Sequence, residues 1–151
     1  MTQSAFDLRG KRVYVAGHRG MVGSALVRQL AHDDCEIITS SRAQLDLRDQ
    51  AGVQRFFADR KPQVVILAAA QVGGIYANDT QPADFIYDNL VMQTNVIGAA
   101  FAHGVEKLTF LGSSCIYPRL APQPVDGLEA ASRHQPGARV PGQAIARPLR
   151  R

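Results

Sequence analysis

RVYVAGHRGMVG, residues 12–23, joins an apolar run to three glycines that recur every third residue. The run is rich in β-branched and aromatic residues and ends at glycine, which predicts a buried strand over Lys11–Ala16. Beyond the first glycines, apolar residues recur at helical spacing, which predicts a helix over Met21–Ala31. A strand, a glycine-rich turn and a helix in direct succession are typical of α/β proteins that bind a dinucleotide.

Each glycine of this turn has a separate predicted role. Gly17 permits a tight turn out of the strand, Gly20 lets the backbone approach a pyrophosphate, and Gly23 lets the helix pack against the strand. The helix N-terminus offers unpaired N–H groups and the positive end of its dipole to an anion. A turn with a purely structural role is the alternative. We predict that a cofactor contacts the whole turn: Gly17, His18, Arg19, Gly20, Met21, Val22 and Gly23.

Strands and helices continue to alternate along the chain. The patterns predict strands at Cys35–Thr39, Gln63–Ala69 and Lys107–Gly112, and helices around Ala51–Ala58 and from about Thr80 to Phe101. Asp46 or Asp49 would cap the first of these helices, and Pro82 suits the first turn of the second. Continuous apolar strands separated by helices predict a doubly wound parallel sheet, a Rossmann NAD(P)-binding fold, over residues 1–124.

The end of the second strand decides which dinucleotide is expected. An NAD site usually presents an acidic residue about 20 residues beyond the glycines, where it binds the ribose 2′-hydroxyl. This sequence has Ser40-Ser41-Arg42 there, and Glu36 lies too early, at the start of the strand. A guanidinium pairs with a 2′-phosphate, which a carboxylate would repel. We predict that Arg42 binds NADP(H), with Arg19 within reach; two solvated surface arginines are the alternative.

Other positions are assigned to the cofactor because they follow a strand. Asp46 and Leu47 suit the edge and face of an adenine. Ala68 and Ala70 would let cofactor or substrate lie close, although simple core packing explains them equally well. The remaining candidates follow the fourth strand: Leu111, Gly112 and Ser114.

Composition bounds the class of protein. The chain has 151 residues, of which 46% are hydrophobic and 20% charged, and no apolar stretch reaches the ~18 residues of a membrane span. Cys35 and Cys115 lack metal-ligand spacing, and residues 1–12 lack the apolar core of a secretory signal, so we expect a cytoplasmic protein without a metal. The net charge of +4 comes mostly from residues 125–151, which hold five Arg against two acidic residues. Because no folded basic face is indicated, neither nucleic acid nor membrane is an expected partner.

Four stretches, VAGHRGMVGSA, AAAQVGGI, ADFIYDN and FLGSSCIYPRLAPQP, together resemble the GDP-L-fucose synthases, a group of extended short-chain dehydrogenase/reductases. The resemblance covers about residues 10–124. It implies a chemistry that composition and periodicity do not show: epimerisation of GDP-4-keto-6-deoxy-D-mannose at C3 and C5, then reduction of C4 with NADPH. It also implies a GDP-sugar as substrate and a family-type homodimer as one assembly.

The resemblance further implies roles for three residues. Ser113 matches the catalytic serine, whose hydroxyl hydrogen-bonds the keto oxygen of the substrate. Cys115 matches the cysteine that exchanges protons with the sugar carbons beside the ketone, which a thiol of tuned pKa can do near neutral pH. A hydroxyl that caps a strand end and a buried cysteine are the alternatives. Asn95 lies either under the cofactor side of the sheet or in the core as a buried amide.

The sequence departs from the family pattern after Pro124. The family carries Tyr-Ala-Ile-Ala-Lys about 30 residues beyond the serine, with Tyr as the general acid, whereas this chain has Gln143 and Arg147 at the matching places. Residues 125–151 hold three Pro, three Gly and no aromatic residue, which predicts a mostly disordered tail. A disrupted reading frame near residue 125 and genuine divergence both explain this change, and its abruptness favours disruption.

These features predict a fold truncated after about the fourth strand, without the family's C-terminal substrate domain. The leading function is an NADPH-dependent epimerase/reductase by descent, present as an inactive fragment. An NADP(H)-binding or regulatory module and a nonfunctional remnant are the alternatives. We also expect the fourth strand to be an uncovered sheet edge that associates with another chain, unless a family-type homodimer forms.

Overall fold

The computed structural model describes residues 6–112, which form eight elements; the predicted tail at 125–151 lies outside them. Within this described part, no helix is long and apolar enough to cross a membrane. The elements are β1 (Arg12–Ala16), α1 (Met21–Leu30), β2 (Glu36–Ile38), α2 (Gln50–Arg60), β3 (Val64–Leu67), α3 (Ile75–Thr80), α4 (Pro82–Ala102) and β4 (Lys107–Phe110).

All strand pairs of the sheet are parallel, and the strand order is β2-β1-β3-β4. Arg12 at the start of β1 is opposite Glu36 of β2, and Ala16 at its end is opposite Leu67 of β3. The chain moves from β1 to one side for β2 and then returns to the other side for β3. This reversal opens a crevice at the carboxyl ends of β1 and β3, where open α/β sheets bind their ligands.

The two faces of the sheet bury separate apolar clusters, which confirms the doubly wound architecture. Side chains of β1 alternate between the faces, so that Tyr14 belongs to the larger cluster and Val15 to the smaller. Phe57 of α2 and Val96 of α4 cover the larger cluster, whereas Leu30 of α1 covers the smaller. Full burial of such a side chain contributes about 1.5–3 kcal/mol, so the sheet depends on helices from both sides.

The predicted strands and helices are present with shifted ends. β2 has three residues rather than the five expected over Cys35–Thr39. Asp49, one of the two predicted caps, is the N-cap of α2, although its side chain makes no capping hydrogen bond. β4 ends at Phe110, and Leu111 beyond it is 38% exposed. The Rossmann-type parallel fold predicted from the sequence is confirmed.

α3 is the element that the sequence pattern did not predict. It has six residues and none of them is buried, so no apolar period marks it. Gln81 separates α3 from α4 with φ −132° and ψ 44°, outside the helical region. Pro82 causes this break because a proline disfavours helical backbone in the residue before it and has no N–H of its own. The long helix therefore begins at Pro82 rather than at Thr80.

Gly23→Ala should destabilise the fold by about 1–3 kcal/mol, the usual effect of forcing atoms into a packed site. A Cβ on Gly23 would overlap the carbonyl oxygen of Gly17. Gly98, inside α4, is a matched control because a Cβ there meets nothing within 4 Å. Gly98→Ala should instead stabilise the helix by about 0.5–1 kcal/mol. Urea denaturation measures both changes, and a stabilised Gly23→Ala variant would refute the packing argument.

Candidate functional site

The glycine turn after β1 lies directly against the backbone that follows β3. Gly17 adopts φ +85°, a conformation that favours glycine. A Cβ there would lie 2.7 Å from the backbone nitrogen of Ala69 and 2.8 Å from the carbonyl oxygen of Ala68. The predicted tight turn is confirmed, and the structure adds a second requirement for glycine. Any side chain at Gly17 would push the two loops apart.

The N-terminus of α1 follows the turn and has no competing anion. Gly20 is its N-cap, no side chain caps it, and its first turn holds no acidic residue. Within residues 6–112, the backbone N–H groups of Met21, Val22 and Gly23 have no backbone acceptor, whereas that of Gly20 donates to the Gly17 carbonyl at 3.0 Å. Unpaired N–H groups at a helix N-terminus fit a phosphate.

A cavity of about 330 Å³ opens at the crevice between β1 and β3. The glycine turn, the loop after β2, the loop after β3 and two residues of α4 line it. Its volume lies in the range of small-molecule sites. Nine residues that the sequence assigns to a cofactor meet there: Gly17, His18, Arg19, Gly20, Arg42, Asp46, Leu47, Ala68 and Ala70.

The loop after β2 brings the guanidinium of Arg42 to the cavity. The loop begins at a hydrogen bond of 2.8 Å between the Tyr14 hydroxyl and Ser40 Oγ, and burial raises the pKa of Tyr14. Arg42 and Arg19 line the same cavity, and inside the described chain no hydrogen bond or ion pair engages either side chain. Glu36 lies at the opposite end of the sheet, as expected. Both guanidinium groups are therefore available to an anionic ligand.

Arg48 fixes Asp46 on the cavity wall. Arg48 Nη2 lies 2.7 Å from Asp46 Oδ2, and the Arg48 backbone N–H donates to Asp46 Oδ1 at 3.0 Å. These hydrogen bonds lower the pKa of Asp46 to about 2, so its carboxylate is ionised at neutral pH. Arg48 Nη1 also donates to Asp88 Oδ2 of α4 at 3.0 Å. The adenine contact of Asp46 stays a prediction, but the position of this carboxylate is now explained.

Asn95 of α4 is a buried amide that supports the same loop. It is 9% exposed, and its Nδ2 donates to the carbonyl oxygens of Leu47 at 2.9 Å and Arg48 at 3.1 Å. It does not line the cavity. Both readings of this residue therefore hold in part: Asn95 is a core amide, and it holds the loop on the cofactor side of the sheet.

Some predicted site residues lie outside the cavity. Met21 and Val22 begin α1 and are 89% and 51% exposed. Gly23 is buried in α1 and does not line the cavity, and neither do Leu111 and Gly112, which follow β4. Their contact with a cofactor stays a prediction. The remaining candidates lie outside the described residues: Ser113, Ser114 and Cys115.

Several residues that line the cavity were not predicted from the sequence. Arg48, Gln71, Asp88 and Met92 are among them. Asp88 belongs to the quoted stretch ADFIYDN, so its presence in a family motif was visible, but its distance from the glycine turn along the chain gave no sign that the two meet. Only the packing of α4 brings Asp88 and Met92 to this edge of the sheet.

In the Rossmann class of dinucleotide-binding domains, an open parallel sheet adds strands first on one side of β1 and then on the other, and a glycine-rich turn follows β1. The described part of this chain has that fold. The chain belongs to the NAD dependent epimerase/dehydratase family, whose model matches residues 13–140. Members of this family are enzymes. The resemblance to GDP-L-fucose synthases is confirmed by the following similarities.

The GDP-L-fucose synthase of Sinorhizobium fredii (strain NGR234) is 62% identical over 118 residues, which are 78% of this chain and 38% of that protein. The GDP-L-fucose synthase of Escherichia coli K12 is 55% identical over 116 residues, which are 76% of this chain and 36% of that protein. A solved structure of a GDP-mannoheptose C4 reductase from Campylobacter jejuni with NADP bound has a TM-score of 0.73 at 39% identity, covering 82% of this chain and 39% of that one. The chain thus spans well under half the length of these relatives.

Asn95→Ala should lower the free energy of unfolding by about 1–3 kcal/mol, because two loop carbonyls lose their buried donor. Thr94→Ala, on the exposed side of the same helix, is the matched control and should change stability by less than about 0.5 kcal/mol. Urea denaturation of both variants measures the difference. Equal effects would show that the amide of Asn95 contributes nothing beyond helix propensity.

Proposed function

We propose that the cavity binds NADP(H). The observation that carries this proposal is the placement around one cavity of the α1 N-terminus and of two arginines, Arg42 and Arg19, that pair with no other residue of the described range. The N–H groups of α1 suit a pyrophosphate, and a guanidinium suits a 2′-phosphate. Residues 40–43 are Ser-Ser-Arg-Ala, so no carboxylate stands where a 2′-phosphate would lie. The NADP bound to the similar Campylobacter reductase supports the same choice.

In this proposal, different residues of the cavity bind different parts of the cofactor. Gly20 lies beside the pyrophosphate, while Asp46 and Leu47 bind the adenine. Ala68 and Ala70 leave room for the cofactor and a substrate at the end of β3. The remaining assignments, at Leu111, Gly112 and Ser114, follow β4. The bound dinucleotide would supply a hydride, and the protein would bind and orient the dinucleotide.

We further propose that the substrate is a GDP-sugar with a ketone at C4, GDP-4-keto-6-deoxy-D-mannose. The names of the two similar synthases support this class of substrate. In the proposed reaction the Ser113 hydroxyl donates a hydrogen bond to the keto oxygen. The Cys115 thiol exchanges protons at C3 and C5, whose C–H bonds the neighbouring ketone makes acidic.

The 151-residue chain is proposed to bind NADPH without completing the reduction. The C4 alkoxide that forms on hydride transfer needs a proton, and Gln143 stands where the resemblance places the tyrosine that donates it. A primary amide is too weak an acid for that role. A binding or regulatory module is therefore the second candidate function, because the cavity is retained while the general acid is not.

Arg42→Asp should weaken NADPH binding by at least about tenfold, because a charge-assisted contact worth about 1.5–3 kcal/mol is replaced by a repulsion. NADH lacks the 2′-phosphate, so its affinity should hardly change. Fluorescence titration of both dinucleotides measures the four affinities. The unmutated chain should also prefer NADPH to NADH, and equal affinities would refute the assignment of Arg42.

Arg28→Asp is the control for this experiment. Arg28 lies exposed in the last turn of α1, away from the cavity, and the substitution makes the same change in net charge. It should leave the ratio of NADPH to NADH affinity unaltered. A drop in that ratio with Arg28→Asp would mean that overall charge, rather than a contact at Arg42, sets the preference.

Incubation of the chain with NADPH and GDP-4-keto-6-deoxy-D-mannose separates the two candidate functions. We expect cofactor binding without formation of GDP-fucose, with the nucleotide sugars separated by chromatography. Product formation would establish the enzyme and show that another residue donates the proton. Failure to bind either dinucleotide would refute the proposed cofactor site itself.

A further inference from the structure

Two adjacent residues of α4 hydrogen-bond to loops that follow two different strands. Asp88 Oδ2 accepts a hydrogen bond of 3.0 Å from Nη1 of Arg48, in the loop after β2. Asn89 binds the backbone of Gln71, in the loop after β3. One turn of α4 therefore contacts both loops that form the walls of the cavity, the loop after β2 and the loop after β3.

Asn89 binds both backbone polar groups of Gln71, its N–H and its carbonyl. Asn89 Oδ1 accepts the Gln71 backbone N–H at 2.8 Å, and Asn89 Nδ2 donates to the Gln71 carbonyl at 2.9 Å. The second hydrogen of Nδ2 is donated to the Phe85 carbonyl, one turn earlier in α4, at 2.8 Å. The amide thus uses both of its donors, and the bond to Phe85 prevents its rotation.

The contact of Asp88 with Arg48 is part of a second attachment between α4 and the loop after β2. Arg48 is held by Asp46 at 2.7 Å, and its carbonyl accepts from Asn95 Nδ2 at 3.1 Å. Asp88 and Asn95 lie two turns apart on α4, so the loop is attached to the helix at two points. Ion pairs of this exposure contribute little to stability, which makes a role in geometry the better explanation of Asp88.

Both loops border the cavity, and α4 is the element that they share. Arg48 lines one wall and Gln71 the other, while Asp88 and Met92 of α4 lie between them. Among residues 6–112, no hydrogen bond joins the loop after β2 directly to the loop after β3. The sheet joins the two loops where they begin, and beyond the strands both loops are attached at separate points to the same helix.

We propose that Asp88 and Asn89 are positioning residues that set the spacing between the two walls of the cavity. The proposal rests on the proposed function, in that the ligand between the walls is the dinucleotide. Asn89 holds the wall at Gln71, which both dinucleotides would meet alike. Asp88, through Arg48, holds the wall that carries Arg42, so it affects the dinucleotide with a 2′-phosphate more strongly.

Three variants of the full chain test this division of roles. Asn89→Ala should weaken the binding of NADPH and the binding of NADH by a similar factor, about tenfold, because two hydrogen bonds to one loop are lost. Asp88→Asn should lower the ratio of NADPH to NADH affinity by about threefold or more, because the loop that carries Arg42 loses its attachment to α4 through Arg48. Asn89→Asp keeps the acceptor for the Gln71 N–H and should retain protection of that amide, which provides a test if the alanine variant does not fold.

Asn89→Ala and Asp88→Asn each have a matched control. Asn78→Ala removes hydrogen bonds from Nδ2 to the Gly73 and Gly74 carbonyls, outside the cavity, and should leave both affinities unchanged. Asp84→Asn makes the same charge change as Asp88→Asn on the same helix, without a contact to the cavity, and should leave the affinity ratio unchanged. Unaltered affinities in Asn89→Ala together with a lowered melting temperature would overturn the proposal, because the residue would then serve stability alone.

Amide hydrogen exchange separates failure of this proposal from failure of the cofactor assignment. In Asn89→Ala without any ligand, the Gln71 amide should exchange about tenfold faster or more, after correction for global stability, while Asn78→Ala leaves it unchanged. Unchanged exchange at Gln71 would overturn the positioning role even if NADPH binds. Faster exchange at Gln71 in a chain that binds neither dinucleotide would support the positioning role and refute only the proposed function.

Discussion

The close approach of Gly17 to the backbone of Ala68 and Ala69 is the constraint on which the cavity depends. A Cβ on Gly17 would lie only 2.7–2.8 Å from those backbone atoms, so only glycine allows the turn after β1 to pack against the backbone that follows β3. The turn can then enter α1 immediately, and the helix N-terminus lies at the sheet reversal. A larger residue at Gly17 would separate β1 from β3, and the anion-binding N–H groups would no longer share a crevice with the ends of both strands.

The charges around the cavity are divided between paired and unpaired groups. Asp46 and Asp88, the two carboxylates that line the cavity, both pair with Arg48, so they share one guanidinium and keep one negative charge between them. Arg42 and Arg19 line the same cavity, and neither forms an ion pair with another residue between 6 and 112. The α1 N-terminus adds the positive end of its dipole. Three Arg and two Asp therefore give the cavity lining a net charge of +1, which agrees with a ligand that carries several phosphates.

α4 links the chemistry of the site to the stability of the fold. Its buried side covers the larger core cluster with Val96, Ala99 and Ala100. The first part of the same helix holds both cavity loops through short polar side chains, Asp88 and Asn89. Within the described residues no buried side-chain nitrogen or oxygen lacks a hydrogen-bond partner. A substitution on this helix can therefore change the cavity without changing the core, and the reverse.

The sequence by itself determined the parallel α/β class and the residues of the glycine turn, because strand and helix periods and glycine spacing are local properties of the chain. It also determined that residues 39–43, directly after β2, hold no acidic residue, from which the choice of NADP(H) follows as a prediction. Tertiary structure alone decided that Gly17 lies on the Ala68–Ala69 backbone, and that α4 supplies Asp88 and Asn89 to the cavity loops. These contacts join residues some 20 to 50 positions apart, and no local pattern encodes them, since they arise only when the helix packs across the ends of neighbouring strands. The short helix α3 was not predicted for a different reason: it buries none of its residues, so its sequence shows no apolar period.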